Sequence, residues 1–283
     1  MSNGANTQNS RPKLKAPRGA CDTHMHIYGP PEQFPFVPGP AAKPAPTPLK
    51  DYLAMLDRIG VERAVIVQPA AYGTDNRCTL EAMREMGERA RGIATLDTDV
   101  KDAELQQLTN AGVRGVRFHM LPGGVLPWAI LEEMAARVYP FGWHVQLQMD
   151  GRELPDRAAM LRRLPCKLVI DHTGKFLEPV GTGHPGFRAL LGLVEGGHCW
   201  VKLSAPYETS KAGPPNYPDV GVLAKALVKV APERMLWGSN WPHPSVRDKP
   251  DDAMLLDVLL DWVGDDATRD RILSDNPAAL YGF

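Results

Sequence analysis

Residues 20–28 read ACDTHMHIY, a short apolar stretch that predicts the first β-strand of the chain. In an extended strand, side chains two positions apart point to the same face of the sheet. His24 and His26 therefore project to the same side, close enough to bind one ion or one substrate. Two imidazoles at the end of a strand form a common half-site for Zn or Fe. The equal alternative is a polar pocket that is lined by histidines and holds no metal.

Seven further apolar stretches follow, and a segment with helical periodicity separates each from the next. Eight strand–helix repeats in a chain of 283 residues predict an α/β protein built as a single (β/α)8 barrel, the TIM barrel. No glycine-rich phosphate loop follows any of these strands, which argues against a nucleotide-binding sheet. The further strands are predicted at residues 64–68, 92–96, 113–119, 143–149, 167–171, 199–203 and 235–237, and the last helix at 253–263.

Composition also predicts how the chain is divided. Residues 1–17 are rich in Asn, Ser, Gly and Lys and predict a disordered tail, so that the barrel domain spans residues 18–283. The segment 29–48, directly after the first strand, contains too many prolines to form a helix or a central strand. We interpret this proline-rich loop as a lid over the histidine pair, and a surface loop without that role is the alternative. Candidate walls of the site near this loop are Tyr28, Phe34 and Phe36.

Charge and composition argue against several classes of protein. The chain has 32 Lys and Arg against 33 Asp and Glu, with a formal net charge of −1 and no long charged blocks. This balance predicts neither nucleic-acid binding nor electrostatic attachment to a membrane. No run of about 18 apolar residues is present, and residues 1–18 lack the apolar core of a signal peptide. The four cysteines lack CxxC spacing and are expected to be reduced thiols of a cytoplasmic protein, whose oligomeric state the sequence leaves open.

Polar side chains stand at the predicted carboxyl ends of the strands, where (β/α)8 barrels carry their chemistry. Basic residues outnumber acids there, and Arg117 alternates with Val116 and Phe118, which should face the helices. Arginine binds carboxylates with paired hydrogen bonds, so we expect a small anionic substrate with one or more carboxylates. The candidate substrate-binding residues are Tyr72, Asn76, Arg117, Gln148, Lys175, Tyr207 and His243.

Three motifs together resemble a known family. They are DTHMH at 22–26, DHTGKF at 171–176 and WGSNWPH at 237–243. With these motifs, nearly the whole chain from residue 18 to 283 resembles the lactone-processing branch of the amidohydrolase superfamily. That branch includes 2-pyrone-4,6-dicarboxylate lactonases, 4-sulfomuconolactone hydrolases and galactarolactone isomerases. The resemblance implies a TIM barrel with its active site at the carboxyl ends of the strands.

The resemblance also implies catalytic residues. His24 and His26 match the histidine pair of strand one, and His172 matches the histidine of strand six. Asn240 stands where most members have an aspartate that takes a proton from the attacking water and often binds the metal. An asparagine has no carboxylate, so it can neither act as a general base nor contribute negative charge to a bound cation. We therefore predict His24, His26, His172 and Asn240 as catalytic residues and no metal cofactor, with Zn bound by the three histidines as the alternative.

Two lactone reactions fit this set of residues. The first is hydrolysis of a small carboxylated lactone, similar to 2-pyrone-4,6-dicarboxylate or a muconolactone, with His26 or His172 as the base in place of the aspartate. The alternative is a metal-independent sugar-acid lactone isomerase, in which a substrate hydroxyl replaces water and no strong base is required. A decarboxylase is a third possibility. A catalytically inactive protein that binds small acids is a fourth, from a different functional class.

Overall fold

The computed structural model describes residues 10–283, in which eight parallel strands form one sheet in the order β1 to β8. Each strand pairs with the next, which confirms the (β/α)8 barrel predicted from the sequence. The strands are short, and nearly all of their residues are buried. Their bounds are β1 Cys21–Met25, β2 Arg63–Val67, β3 Ala90–Ala94, β4 Val113–His119, β5 His144–Gln148, β6 Leu168–Ile170, β7 Cys199–Ser204 and β8 Met235–Gly238.

The barrel is closed just beyond the end of β8. The backbone N–H of Asn240 donates to the carbonyl of His24, and that of His26 donates to the carbonyl of Trp241, each over 2.8 Å. These two bonds bring the motif after β8 beside the motif of β1. Two of the three sequence motifs are therefore neighbours because the barrel is closed.

Helices follow the strands and cover the outside of the barrel. Helix α1 shows why: Tyr52, Leu56 and Ile59 are buried on one face, and Gly60 ends the helix in the left-handed conformation with φ 74°. The described part of the chain contains no helix long and apolar enough to cross a membrane. The helices are α1 Leu49–Ile59, α2 Arg77–Met86, α3 Asp102–Asn110, α4 Leu131–Val138, α5 Leu154–Leu161, α6 Pro185–Glu195, α7 Pro218–Val230, α8 Asp252–Trp262, α9 Asp266–Asp270 and α10 Asn276–Tyr281.

The inside of the barrel is apolar at its amino-terminal end. Alternate residues of six strands pack together there with two residues of α10, which comes after the last predicted helix. Helix α10 therefore plugs the bottom of the barrel, and the polar residues that follow along the strands lie nearer the carboxyl ends. The members of this inner cluster are Cys21, Val65, Val67, Ile93, Val169, Trp200, Leu236, Leu280 and Tyr281.

Two predicted loops are held against the barrel. Within the predicted disordered tail, Leu14 is buried, and the backbone N–H groups of Lys13 and Leu14 donate to the Asp257 carboxylate over 3.1 and 2.9 Å. Residues 10–17 thus differ from the predicted disordered tail, because α8 offers a carboxylate to their backbone. Residues 1–9 of that tail lie outside the described residues. In the proline-rich loop, the backbone N–H of Val37 donates to the carbonyl of Ala71 over 2.9 Å.

Candidate active site

A cavity of about 250 Å³ opens at the carboxyl ends of the strands, the end at which (β/α)8 barrels carry their active sites. Strand ends and loops from all around the barrel contribute to its wall. Residues far apart in the sequence therefore meet there. Of the catalytic and substrate-binding residues predicted from the sequence, those that line the cavity are His26, Arg117, Gln148, His172, Lys175 and Asn240.

His24 belongs to the same cluster but lies below the cavity surface. Its side chain is fully buried, and the centre of its ring lies 5.0 Å from that of His26 and 4.6 Å from that of His172. The three histidines that the resemblance singled out are therefore in contact. Only His26 and His172 reach the cavity itself.

Two predicted substrate-binding residues hold loops instead of lining the cavity. The Asn76 side chain donates to the Thr95 carbonyl over 2.9 Å and accepts from the Thr95 N–H over 3.0 Å. The Tyr72 hydroxyl accepts from the N–H of Gly29 over 3.0 Å. These polar atoms bind neighbouring backbone, so the structure places Asn76 and Tyr72 in the loops around the site and outside the cavity lining.

Tyr207 and His243 also lie outside the cavity lining and support Asn240 from behind. The Asn240 amide nitrogen donates to the Tyr207 hydroxyl over 2.8 Å, and that hydroxyl lies 2.9 Å from His243 Nδ1. His243 Nε2 in turn lies 3.1 Å from an Asp252 carboxylate oxygen. The structure thus places these two residues, which were predicted to bind substrate, in a hydrogen-bonded chain behind Asn240.

Several lining residues were not among the predicted site residues. Glu208, directly after Tyr207, is the acid that lines the cavity among the described residues, and His119 and Ser245 line it as well. The sequence held a signal for Glu208, since it closely follows β7, but Tyr207 was the residue predicted to bind substrate there. From the proline-rich loop, Ala41 and Ala42 line the cavity in place of the predicted Phe34 and Phe36, whereas Tyr28 lines it as predicted.

The imidazole of His26 has a defined proton arrangement. Its Nδ1 lies 2.7 Å from the carbonyl oxygen of Val67, and because a carbonyl only accepts, Nδ1 carries the hydrogen. The lone pair is therefore on Nε2. Burial, with Arg117 nearby, lowers the pKa of His26 to about 3. At neutral pH this side chain is an uncharged acceptor and a weak base.

A buried ion pair lies under the histidines. The fully buried Asp171 carboxylate accepts from Gln146 Nε2 over 3.1 Å and lies 3.7 Å from the Lys202 ammonium. That ammonium donates to the Thr23 carbonyl and to Gln146 Oε1, each over 2.7 Å. Burial lowers the pKa of Lys202 to about 8, against the opposing effect of Asp171. Lys202 therefore remains charged at neutral pH and balances Asp171.

The described residues contain one cluster with the dimensions of a metal site. Ligand atoms of His24, Asp171 and His172 lie within 4.8 Å of one another. Within the part of the chain that the structure describes, His24 Nε2 and one oxygen of Asp171 are buried without a hydrogen-bond partner, as ligands would be. However, the Lys202 ammonium is already 3.3 Å from His24 Nδ1, and its charge balances the one carboxylate. Since Asn240 adds no negative charge, the cluster fits a divalent ion poorly.

Arg117 is a buried cation in the cavity wall whose bonds are to neutral groups. Only 6% of the residue is exposed. Its terminal nitrogens donate to the Gln68 carbonyl over 2.7 Å and to Gln148 Oε1 over 3.1 Å, and its Nε has no partner among residues 10–283. Lys175, in contrast, is paired with the Glu208 carboxylate. The guanidinium of Arg117 is thus the better place for an incoming anion.

Backbone conformation also marks this end of the barrel. His172, Lys175 and Asn240 adopt positive φ values of 54°, 47° and 62°. Such values are rare for residues with a side chain, and they concentrate at functional sites that the surrounding structure holds in place. The turns after β6 and β8 therefore hold the predicted catalytic residues His172 and Asn240 in this uncommon conformation.

A (β/α)8 barrel with histidines of β1 and β6 at its open end is the architecture of the amidohydrolases, and the amidohydrolase family model matches residues 21–283. The chain belongs to this family. It is 38% identical to D-galactarolactone isomerase of Agrobacterium fabrum over 95% of this chain and 93% of that protein. It is 37% identical to the 2-pyrone-4,6-dicarboxylate hydrolase of Comamonas testosteroni, over 96% and 93%.

Further comparisons agree with this assignment. The 4-sulfomuconolactone hydrolase of Rhizobium radiobacter is 36% identical, over 94% of this chain and 91% of that protein. The crystal structure of ATU3138 from Agrobacterium tumefaciens superposes with a TM-score of 0.92 at 37% identity and covers 99% of both chains. Identities this similar do not separate the isomerase from the hydrolases.

Proposed function

We propose that the protein is an enzyme that acts on a small lactone bearing a carboxylate, and that the reaction is ring-opening hydrolysis. The observation that supports this most directly is Arg117, a buried guanidinium in the cavity wall whose hydrogen bonds go only to neutral groups. A carboxylate is the group that best balances such a cation. The named relatives add support, since a hydrolase of a pyrone dicarboxylate and a hydrolase of a sulfomuconolactone are both more than one third identical to this chain.

In this proposal the carboxylate binds Arg117, and the lactone carbonyl turns towards His26, His172 and Asn240. The neutral Nε2 of His26 and the side-chain oxygen of Asn240 are both acceptors for a nucleophile's O–H. Both hydrogens of the Asn240 amide are in use, since the nitrogen donates to Tyr207 and lies 3.3 Å from a Glu208 oxygen. Asn240 therefore orients the nucleophile and does not donate to the developing oxyanion.

The second candidate is isomerisation, in which a hydroxyl of the substrate attacks the lactone carbonyl. The neutral side chain of Asn240 favours isomerisation. A hydroxyl of the substrate is already held close to the carbonyl, so it requires an acceptor that orients it and not a strong base that activates water. The similarity to a galactarolactone isomerase supports it to about the same extent as the hydrolases support hydrolysis. The cavity is the same in both proposals, and the product distinguishes them.

A lactone panel tests the proposal. Wild-type enzyme is incubated with pairs of lactones that differ in one carboxylate, and NMR separates ring-opened acid from rearranged lactone. For Arg117→Met we expect KM for the carboxylated member to rise about 10- to 100-fold, the loss of one charged hydrogen-bonded contact. The exposed Arg163, which pairs with Glu132 on the outside of the barrel, supplies the control Arg163→Met. Equal KM values for both members of a pair in wild type would contradict the role of Arg117.

A further inference from the structure

Glu208 is a carboxylate in a cavity that otherwise suits an anion. It follows β7, its side chain is 7% exposed, and it is the acid among the described residues that line the cavity. One of its oxygens pairs with the Lys175 ammonium, and the other accepts from the Ser245 hydroxyl and, over 3.3 Å, from the Asn240 amide. A buried charge with this many partners is held in one place.

These contacts leave Glu208 with unused capacity to accept a proton. A carboxylate offers about four acceptor positions, and three are occupied by Lys175, Ser245 and Asn240. The other candidates for a base suit the role poorly. Burial lowers the pKa of His26 to about 3 and that of His172 well below its ordinary value, and Asn240 has no basic atom.

We propose that Glu208 is the general base of this site and takes the role that the aspartate at position 240 has in most relatives. This inference rests on the proposed lactone reaction. Glu208 takes the proton of the nucleophile's O–H, whether the nucleophile is water or a substrate hydroxyl. The nucleophile oxygen bonds to the lactone carbonyl carbon, and the carbonyl π electrons move to oxygen. The C=O bond then re-forms, the ring C–O bond breaks, and the leaving oxygen takes the proton back from Glu208.

The neighbours of Glu208 suit this role. Asn240 contacts it directly and holds a free acceptor oxygen, so a nucleophile bound to Asn240 lies beside the base. The Lys175 ammonium stabilises the carboxylate form between turnovers. Burial lowers the pKa of Lys175 to about 8, although Asp171 opposes that shift, so the ammonium form is present at neutral pH. In this proposal the loop after β7 supplies, through Glu208, the carboxylate that position 240 lacks.

The simplest competing explanation is that Glu208 only balances the charge of Lys175. Three variants separate the two roles. Glu208→Gln keeps the size of the side chain and removes the base. Glu208→Asp keeps the carboxylate and shortens the side chain by one methylene. Glu178→Gln alters a glutamate that is 63% exposed, lies after β6 and pairs with Lys211, and serves as the matched control.

The variants are compared in kcat, KM, pH profile and thermal midpoint, with whichever lactone the wild type converts. For Glu208→Gln we expect kcat to fall about 10²- to 10⁴-fold with KM within about threefold, the usual effect of losing a general base. The loss of kcat at acid pH in wild type should be absent in this variant. Lys175 is the titrating side chain in contact with Glu208, and His26, His119, His172 and Arg117 share the cavity. The acid limb is therefore assigned to Glu208 by its disappearance in Glu208→Gln and not by its apparent pKa. Glu178→Gln should match wild type.

Each outcome has one meaning. A Glu208→Gln enzyme with wild-type kcat, or with a reduced kcat and an unchanged acid limb, would overturn the assignment of the base while the lactone reaction stands. No conversion of any lactone by the wild type would overturn the proposed function, and this inference with it. If Glu208→Gln does not fold, Glu208→Asp decides between the two roles. This variant keeps a base on a shorter side chain, so it should keep the acid limb at a lower kcat. Loss of that limb would overturn the proposal.

Discussion

Asn240 combines a neutral side chain with a left-handed backbone of φ 62° and an amide whose hydrogens face Tyr207 and Glu208. An aspartate tolerates the same backbone, so Asn240→Asp changes the charge with little strain. The new carboxylate would lie against Glu208, where two like charges raise the pKa of one of them. For a hydrolase we expect lower kcat at neutral pH and a higher pH optimum. For an isomerase we expect ring-opened acid to appear at the expense of rearranged lactone.

Product NMR and a pH profile of kcat measure both effects. A variant with unchanged product, rate and pH profile would show that residue 240 is remote from the reacting atoms. The orientation of the Asn240 amide would then have no catalytic meaning.

Lys202 supports a second prediction at this scale. Its ammonium lies 3.3 Å from His24 Nδ1 and 3.7 Å from Asp171, so these groups have a positive partner without any metal. We expect dialysis against a chelator to leave kcat within about twofold, because the cluster lacks the excess negative charge that retains a divalent ion. Elemental analysis of the dialysed enzyme completes the measurement. Stoichiometric metal whose removal abolishes turnover would contradict it.

Single residues also show how far the sequence could be interpreted. Arg117 was predicted to face the site because Val116 and Phe118 alternate with it, and those two residues are buried in the cluster under the helices. Side chains alternate between the two faces of any strand, so this inference needs only the local sequence. The pairing of Lys175 with Glu208 joins residues 33 positions apart. No local pattern predicts such a contact, and Lys175 was therefore expected to bind substrate.

Among the elements, the loop between β4 and α4 supplies part of the cavity wall through Leu121 and Pro122. Gly124 closes this loop so tightly that an added Cβ would overlap the carbonyl oxygen of His119. For Gly124→Ala we expect the loop to shift, KM to rise severalfold and the free energy of unfolding to fall by about 1–3 kcal/mol, the range for overpacking. Kinetics and urea unfolding measure the two effects.

Gly181 gives a matched control for this substitution. It lies in the loop before α6, and an added Cβ there meets nothing within 4 Å. Gly181→Ala should therefore leave KM and stability close to wild type. If Gly124→Ala behaves in the same way, the close contact with His119 is relieved without moving the cavity wall.

The elements were predictable where their sequences are regular. Short stretches rich in apolar residues located all eight strands, because the strands of a barrel are buried between its interior and the helices. No helix was predicted from the sequence after α8. There α9 reads DATRD and is followed by a π-helical turn, RILSD, and neither segment has a clear amphipathic period. Helix α10, which plugs the barrel, was missed for the same reason.

For the molecule as a whole, the buried histidines determine how stability depends on pH. Burial lowers the pKa of His26 and His144 to about 3 and that of His119 to about 4, from 6.5. Between these values and 6.5 the unfolded chain binds more protons than the folded chain, so stability is complete above 6.5 and falls as pH falls. Burial raises the pKa of Asp22 from 3.8 to about 6. Between these values the folded chain binds one more proton at Asp22 than the unfolded chain, which opposes the effect of the histidines on stability.

Burial also lowers the pKa of His24 and His172 well below 6.5, so five histidines against one aspartate leave a net uptake of up to about four protons on unfolding between pH 4 and 6. We therefore expect the free energy of unfolding, measured in urea at a series of pH values, to fall by more than about 1.4 kcal/mol for each pH unit below 6. His144 lies inside the barrel against Tyr281 and away from the cavity lining, so His144→Gln should lower this slope by about one proton. A free energy of unfolding that stays constant from pH 6.5 to 4.5 would mean that these imidazoles are protonated equally in both states, and that their burial in the barrel costs nothing on acidification.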